Sequence, residues 1–300
     1  MKTRIVIAFL FLLVASTSAQ AKVNVFACEP EWGALATVLG GDQVSVTVAT
    51  TALQDVHQIQ ARPSLIAAVR KAGIVICSGA ELETGWLPLL IRQAGNDAIQ
   101  PGQPGNLMAA SYVNKLDVPD RLDRSQGDIH AEGNPHILTD PRNVRVVARV
   151  LADRLKTLDQ ANAAFYTAQF AAFDQQLAAR IEGWQKQAAQ LRGMPIVIRH
   201  NVWVYLANWV GLDIVAALEP KPGVPPTTGH LAGILEKLRT TPARAIVIAA
   251  YEDPKAAQWL AERTGLPVVV LPYTVGGNDQ AMDLFALYDN TIQQLLRVAS

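Results

Sequence analysis

The chain is poor in the residues from which most metal centres and active sites are assembled. It has two cysteines, Cys28 and Cys77, and five histidines, His57, His130, His136, His200 and His230, in 300 residues. Two thiols cannot build a structural zinc site of the four-cysteine kind. A His-Glu-x-x-His helix is missing, as are a Gly-x-Ser-x-Gly elbow and a Gly-x-x-x-x-Gly-Lys-Ser/Thr phosphate loop. The common signatures of zinc proteases, serine hydrolases and ATP users are therefore excluded. Charge of one sign is lacking too, with 26 basic residues against 26 acidic ones. Nothing in that balance favours nucleic acid or an anionic membrane surface.

Long apolar runs are equally scarce. Ile5 to Val14 is the longest, too short for a bilayer-spanning helix of about 20 residues. It follows Lys2 and Arg4 and precedes Ala19-Gln20-Ala21, a small-x-small cleavage pattern, so residues 1–21 read as a secretory signal peptide. Cleavage after Ala21 takes Lys2 and Arg4 away and leaves 24 basic against 26 acidic residues, a net charge of −2. No cysteine stands at that point, which argues against a lipid anchor there. A soluble, exported (periplasmic) protein is expected. Export into an oxidising compartment makes a Cys28–Cys77 disulfide a candidate, because both cysteines end apolar strands. The alternative is two buried thiols acting as small hydrophobes.

What the chain does have is alternation. Strands are expected near 23–28, 44–49 and 73–77, with helices near 31–39, 62–71 and 84–93. The pattern returns with strands near 195–199, 212–217, 245–250 and 267–271 and helices near 201–210, 229–239, 255–264 and 281–297. Unbroken apolar strands such as Ala245-Ile246-Val247-Ile248-Ala249-Ala250 imply sheets covered on both faces. The expected fold class is α/β: two lobes with parallel sheets, residues 22–160 and 193–300, joined by a long rigid connecting helix over 161–192. Phe165, Tyr166, Phe170, Phe173, Leu177 and Ile181 recur along that helix at three- and four-residue spacing. Residues 101–134 are weakly patterned and read as mobile surface.

Asn134-Pro135-His136-Ile137-Leu138-Thr139-Asp140-Pro141 is the most informative segment. Two prolines stiffen the loop that presents His136. His57 lies one loop beyond the strand ending near 49, and His200 directly follows the strand 195–199. Ligands in open α/β sheets collect beyond the carboxyl ends of strands, so the three imidazoles can meet in one cleft. Each has a plainer reading: an exposed loop residue for His57, a turn hydrogen bond for His136, a helix cap for His200. Three imidazoles with one further position favour Zn(II) over ions that prefer oxygen ligands.

These motifs resemble the zinc branch of the metal-binding solute-binding proteins of ABC importers (cluster A-I, or cluster 9). His57 precedes Arg62-Pro63-Ser64, His136 sits in its Pro-His…Asp-Pro motif, and His200 is followed by Tyr205 and Gly211-Leu212. The likeness spans almost the whole mature chain. It implies Zn(II) as the transported ligand, a membrane permease subunit of an ABC importer as partner, and a monomer without enzymatic activity. Manganese-type relatives carry a carboxylate where His200 stands. Relatives also supply an aspartate from the loop after the last strand, which makes Asp279 the candidate fourth ligand, with Glu252 or water as alternatives. Only Asp128, His130 and Glu132 stand where zinc binders often have a long metal-gathering loop, so such a loop is not expected. A zinc-dependent hydrolase, or a receptor of the same fold for another divalent cation such as Mn(II), are the competing readings.

Overall fold

The computed structural model describes residues 21–120, 127 and 130–299; the expected signal peptide, apart from Ala21, lies outside them, as does Asp128. The first lobe alternates β1 (Val23–Ala27), α1 (Pro30–Gly40), β2 (Val44–Val48), α2 (Pro63–Lys71), β3 (Ile74–Cys77), α3 (Leu87–Ala94) and β4 (Asn106–Met108). Its strands are all parallel, in the order β2-β1-β3-β4. After α4 (Pro141–Leu158) and α5 (Ala163–Gln187), the second lobe runs β5 (Pro195–Ile198), α6 (Val204–Val210), β6 (Asp213–Ala217), α7 (Thr228–Thr240), β7 (Ala245–Ala249), α8 (Lys255–Thr264), β8 (Val268–Leu271) and α9 (Leu284–Ala299). It repeats the first in order and polarity, β6-β5-β7-β8.

Period-two burial explains how the sheets sit. In β1, Val25 and Ala27 point to one core and Phe26 to another, and β3 divides Ile74 and Ile76 from Val75 and Cys77 in the same way. In the second lobe Ile196, Ile198, Val247 and Ala249 face the core that also holds Val25 and Ile76, while Val197, Ile246 and Ile248 face outward to α7 and α8. The inner faces of both sheets thus feed one continuous core, filled by α1, α4, α5, α6 and α9. Successive strand residues point to opposite faces, so each fully apolar strand serves two cores.

The long helix is 25 residues, ending at Gln187 before a single 3-10 turn, Ala188–Leu191. It is no bare strut: Tyr166, Phe173, Leu177, Ile181 and Trp184 are buried in the shared core. Trp184 Nε1 donates to Asp289 of α9 at 2.7 Å. Within the 101–134 segment expected as mobile surface, Asn106–Met108 and Ala109–Tyr112 are instead regular structure. Asn106–Met108 completes the first sheet beside β3, and Leu107, Ala109 and Ala110 are buried. Cys28 and Cys77, just beyond β1 and at the end of β3, form a disulfide with Cα atoms 4.8 Å apart.

Candidate metal centre

Both sheets turn their carboxyl ends to the same cleft, and the chain's chemistry is gathered there. His57 lies beyond β2, His200 beyond β5, Glu219 beyond β6, Glu252 beyond β7 and Tyr273 beyond β8. His136 arrives on the Asn134–Pro141 segment, which local hydrogen bonds make rigid. Asn134 Oδ1 accepts from the His136 backbone N–H at 3.0 Å, and Asn134 Nδ2 donates to the Asn201 carbonyl at 2.8 Å. Asp140 caps α4 by accepting from Arg142 N at 2.9 Å, with Pro141 filling the first helical position, where no N–H is needed.

The structure brings His57, His136 and His200 together. Each offers one ring nitrogen, and these atoms lie within 4.8 Å of one another. Ring centroids are 5.7, 5.8 and 5.4 Å apart, with planes inclined at 65°, 81° and 85°. Such edge-on packing aims nitrogens at a common point rather than stacking faces. In every case Nδ1 is held from behind. His57 Nδ1 meets Asp55 Oδ1 at 2.9 Å, His136 Nδ1 meets the Tyr273 hydroxyl at 2.9 Å, and His200 Nδ1 meets Glu219 Oε2 at 2.7 Å. Carboxylates only accept, so Nδ1 of His57 and His200 carries a proton, and in the neutral ring Nε2 presents a lone pair. Carboxylate–histidine pairs of this kind orient and polarise metal ligands. His136 Nε2 is buried and has no protein partner. A cation in the cleft would satisfy it, since a buried unpartnered nitrogen is costly.

Electrostatics favours the neutral ring at His136 and His130. Burial, reinforced by repulsion from His200, His57 and His130, holds the His136 pKa well below its ordinary value. Burial likewise lowers His130 to about 4, with His57 and His200 adding to the effect. Burial opposes ionisation of Asp55, but its hydrogen bonds with His57 and attraction to that ring outweigh it, so its carboxyl stays below the usual range. Neutral imidazole is the form that binds a metal.

The remaining candidates fall differently. Asp279 is exposed and lines neither cavity that borders the histidines, so the structure does not bring it into the group. The loop after β8 presents Tyr273 to His136 instead. Glu252 lines the cleft of about 230 Å³ beside His57 and His200, yet its Oε2 accepts from Ala249 N at 2.6 Å. Burial raises its pKa to about 8, against the pull of backbone hydrogen bonds from Ala249 and His200. One oxygen of that carboxyl braces the end of β7, while Oε1 is buried without a hydrogen-bond partner. His230 is apart from the cleft group, its Nε2 bonded to the Ala217 carbonyl at 2.9 Å.

Sequence reasoning missed two features. His130 lies against the triad, its Nε2 3.4 Å from His57 Nε2, and it lines a cavity of about 240 Å³ with His136 and His200. Glu29, Glu31 and Glu83 form a buried acidic group behind Tyr273. Burial raises all three pKa values, to about 7 for Glu31 and Glu83. Glu31 Oε2 accepts from Thr274 Oγ1 at 2.6 Å across the lobes. The signal for Glu29 and Glu31 was their place straight after the buried run Val25-Phe26-Ala27-Cys28, where an acid is carried inward.

Comparison with known proteins agrees with this architecture. The chain is 22% identical over 290 residues to the metal ABC transporter substrate-binding lipoprotein FimA of Streptococcus parasanguinis, covering 89% of this chain and 87% of that protein. It is 22% identical over 253 residues to the manganese ABC transporter substrate-binding lipoprotein PsaA of Streptococcus pneumoniae, covering 79% and 74%. The fold matches a crystal structure of ZnuA with a TM-score of 0.77 at 20% identity, over 93% of this chain and all of that one. The sequence model for ZnuA, zinc-uptake complex component A, periplasmic, matches residues 25–298, nearly the full length, and the chain belongs to that family.

Proposed function

We propose that this chain is an exported receptor that captures a divalent transition metal, Zn(II) before others, and hands it to the membrane permease of an ABC importer. The observation that carries this reading is the convergence of three histidines whose Nδ1 atoms are each held by a polar group behind them. Imidazole nitrogens suit Zn(II), whereas Mn(II) prefers sites containing carboxylate oxygen. Relatives named for manganese keep the Mn(II) reading as the alternative. A disulfide fits an oxidising compartment outside the cytoplasm.

A hydrolytic role is disfavoured by the same geometry. Asp55 and Glu219, the carboxylates nearest the triad, are engaged with Nδ1 atoms and are poorly available as general bases. The test is a titration of chelator-stripped mature protein with Zn(II) against a chromophoric competitor, beside His200→Ala. One tight site per chain, lost or strongly weakened in the variant, supports the receptor. A site indifferent to His200, or turnover of an ester or peptide that disappears in His136→Ala, would replace it with another reading.

A further inference from the structure

We propose that His130 is a fourth ligand of the triad's metal site, aimed by the left-handed turn Gly79-Ala80-Glu81; this rests on the receptor reading above. His57 and His130 face each other Nε2 to Nε2 at 3.4 Å. In a tetrahedral zinc site with Zn–N near 2.0–2.1 Å, neighbouring ligand nitrogens stand about 3.4 Å apart. His57 Nδ1 meets Asp55 Oδ1 at 2.9 Å, which leaves its Nε2 turned to His130. The two Nε2 atoms thus approach each other at the spacing of two ligands of one ion.

The His130 centroid is 6.4 Å from that of His136, and His130 lies outside the group of ligand atoms within 4.8 Å of one another, so sharing an ion requires its ring to move inward. The backbone around it is anchored on the first lobe. Ala131 N–H donates to Glu81 Oε2, and Gly133 N–H closes a turn on the His130 carbonyl at 3.0 Å.

The anchor itself is unusual. Gly79, Ala80 and Glu81 have φ of 76°, 48° and 68°, a left-handed conformation that Ala and Glu adopt only when the surroundings impose it. The buried acids impose it. Glu83 accepts from Ser78 N at 2.8 Å and Gly79 N at 3.1 Å, and Glu29 Oε2 takes both the N–H and the hydroxyl of Ser78 at 3.2 Å. Trp32 Nε1 donates to the same hydroxyl at 2.9 Å. Glu29 and Glu83 therefore act on the site indirectly: they hold the turn, the turn holds residues 130–131, and the imidazole meets His57. A fourth nitrogen in place of oxygen or water would tilt the site further from Mn(II).

X-ray absorption on the zinc-loaded mature protein counts imidazoles directly, and the Co(II) spectrum reports whether the ion is four-coordinate. Four imidazoles are expected in the parent and three with one oxygen in His130→Ala, with zinc affinity down tenfold or more. Glu81→Ala, as a positioning variant, should weaken binding in the parent and have no effect on top of His130→Ala. Three imidazoles in the parent, with His130→Ala silent and His200→Ala destructive, would overturn the fourth ligand and leave the receptor reading standing. No tight zinc site in the parent would remove both.

Discussion

Tyr273 and His136, 137 residues apart in sequence, meet hydroxyl to Nδ1 at 2.9 Å in a fully buried contact between the two lobes. The contact fixes the ring while its Nε2 is left without a protein partner. Tyr273→Phe keeps the packing against Trp203 and Tyr251 and removes only the hydroxyl. Outer-sphere partners of this type are worth roughly ten- to a hundredfold in metal affinity. The expected result is a tenfold or greater rise in the zinc Kd, measured by chelator competition, with an unchanged far-UV spectrum.

Glu219 offers a second case with a different balance. Its Oε2 serves both His200 Nδ1 at 2.7 Å and Gly223 N at 3.0 Å, and its Oε1 stands 3.6 Å from Arg199 Nε. Glu219→Gln can preserve one hydrogen bond and loses the charge that polarises the ring. Zinc affinity should fall by about tenfold, and Glu219→Ala should fall further because Gly223 loses its acceptor as well. Equal behaviour of the two variants in the same titration would mean that shape, not charge, positions His200.

These two partnerships mark the limit of what the sequence reveals. Phe26, Ile76, Val197 and Ile248 announce buried strands because a strand covered on both faces must be apolar throughout. The three histidines were legible because each follows a strand or a proline-stiffened turn. Asn106–Met108 was not: it has a single fully buried side chain, Leu107, and becomes a strand only because β3 already stands beside it. His130 was hidden for the same reason, its neighbour Ala131 being held by Glu81 across the fold rather than by local pattern. Asp279 had the right type and the right loop, but the chain turns Tyr273 and Thr274 inward and leaves Asp279 in solvent.

The buried acids predict a pH dependence of stability. Burial holds the Glu31 pKa up at about 7, against an ordinary value of 4.5. A raised folded-state pKa means the proton is kept in the fold and lost from the unfolded chain. The stability this brings is complete below pH 4.5 and disappears as pH rises to about 7. Glu31→Gln removes the dependence, so the variant should gain on the parent between pH 4.5 and 8 by roughly 3 kcal/mol at 1.36 kcal/mol per unit. Urea denaturation of chelator-treated protein at both pH values measures it. A difference between variant and parent that stays constant with pH would show that Glu31 is ionised in the fold.

The disulfide closes 49 residues of sequence between β1 and β3. By the chain-entropy relation a loop of that length stabilises by about 4 kcal/mol through restriction of the unfolded chain. Cys28→Ala with Cys77→Ala should therefore lower unfolding free energy by an amount of that order. Both Cβ atoms stay buried in the outer core of the first lobe, so the fold should survive. Denaturant midpoints with and without reductant check this, because the parent in reductant should approach the variant.

Metal choice can be read from thermal stability. An ion that binds the fold and not the unfolded chain adds RT ln(1 + [L]/Kd), about 2.7 kcal/mol at a hundredfold excess over Kd. For a chain of this size that corresponds to roughly 5 °C in Tm. Zn(II) at micromolar levels should produce such a rise, reversible with chelator, while Mn(II) at the same concentration should produce much less and Mg(II) none. The reason is the donor set: His57, His136 and His200 offer nitrogen, and the adjacent carboxylates of Asp55 and Glu219 are occupied with Nδ1 atoms rather than turned to the ion. Mn(II) could match Zn(II) only if one of those carboxylates rotated inward and released its histidine. An equal Tm rise for the two ions, abolished for Mn(II) alone in Glu219→Gln, would identify Glu219 as the oxygen ligand that makes the difference.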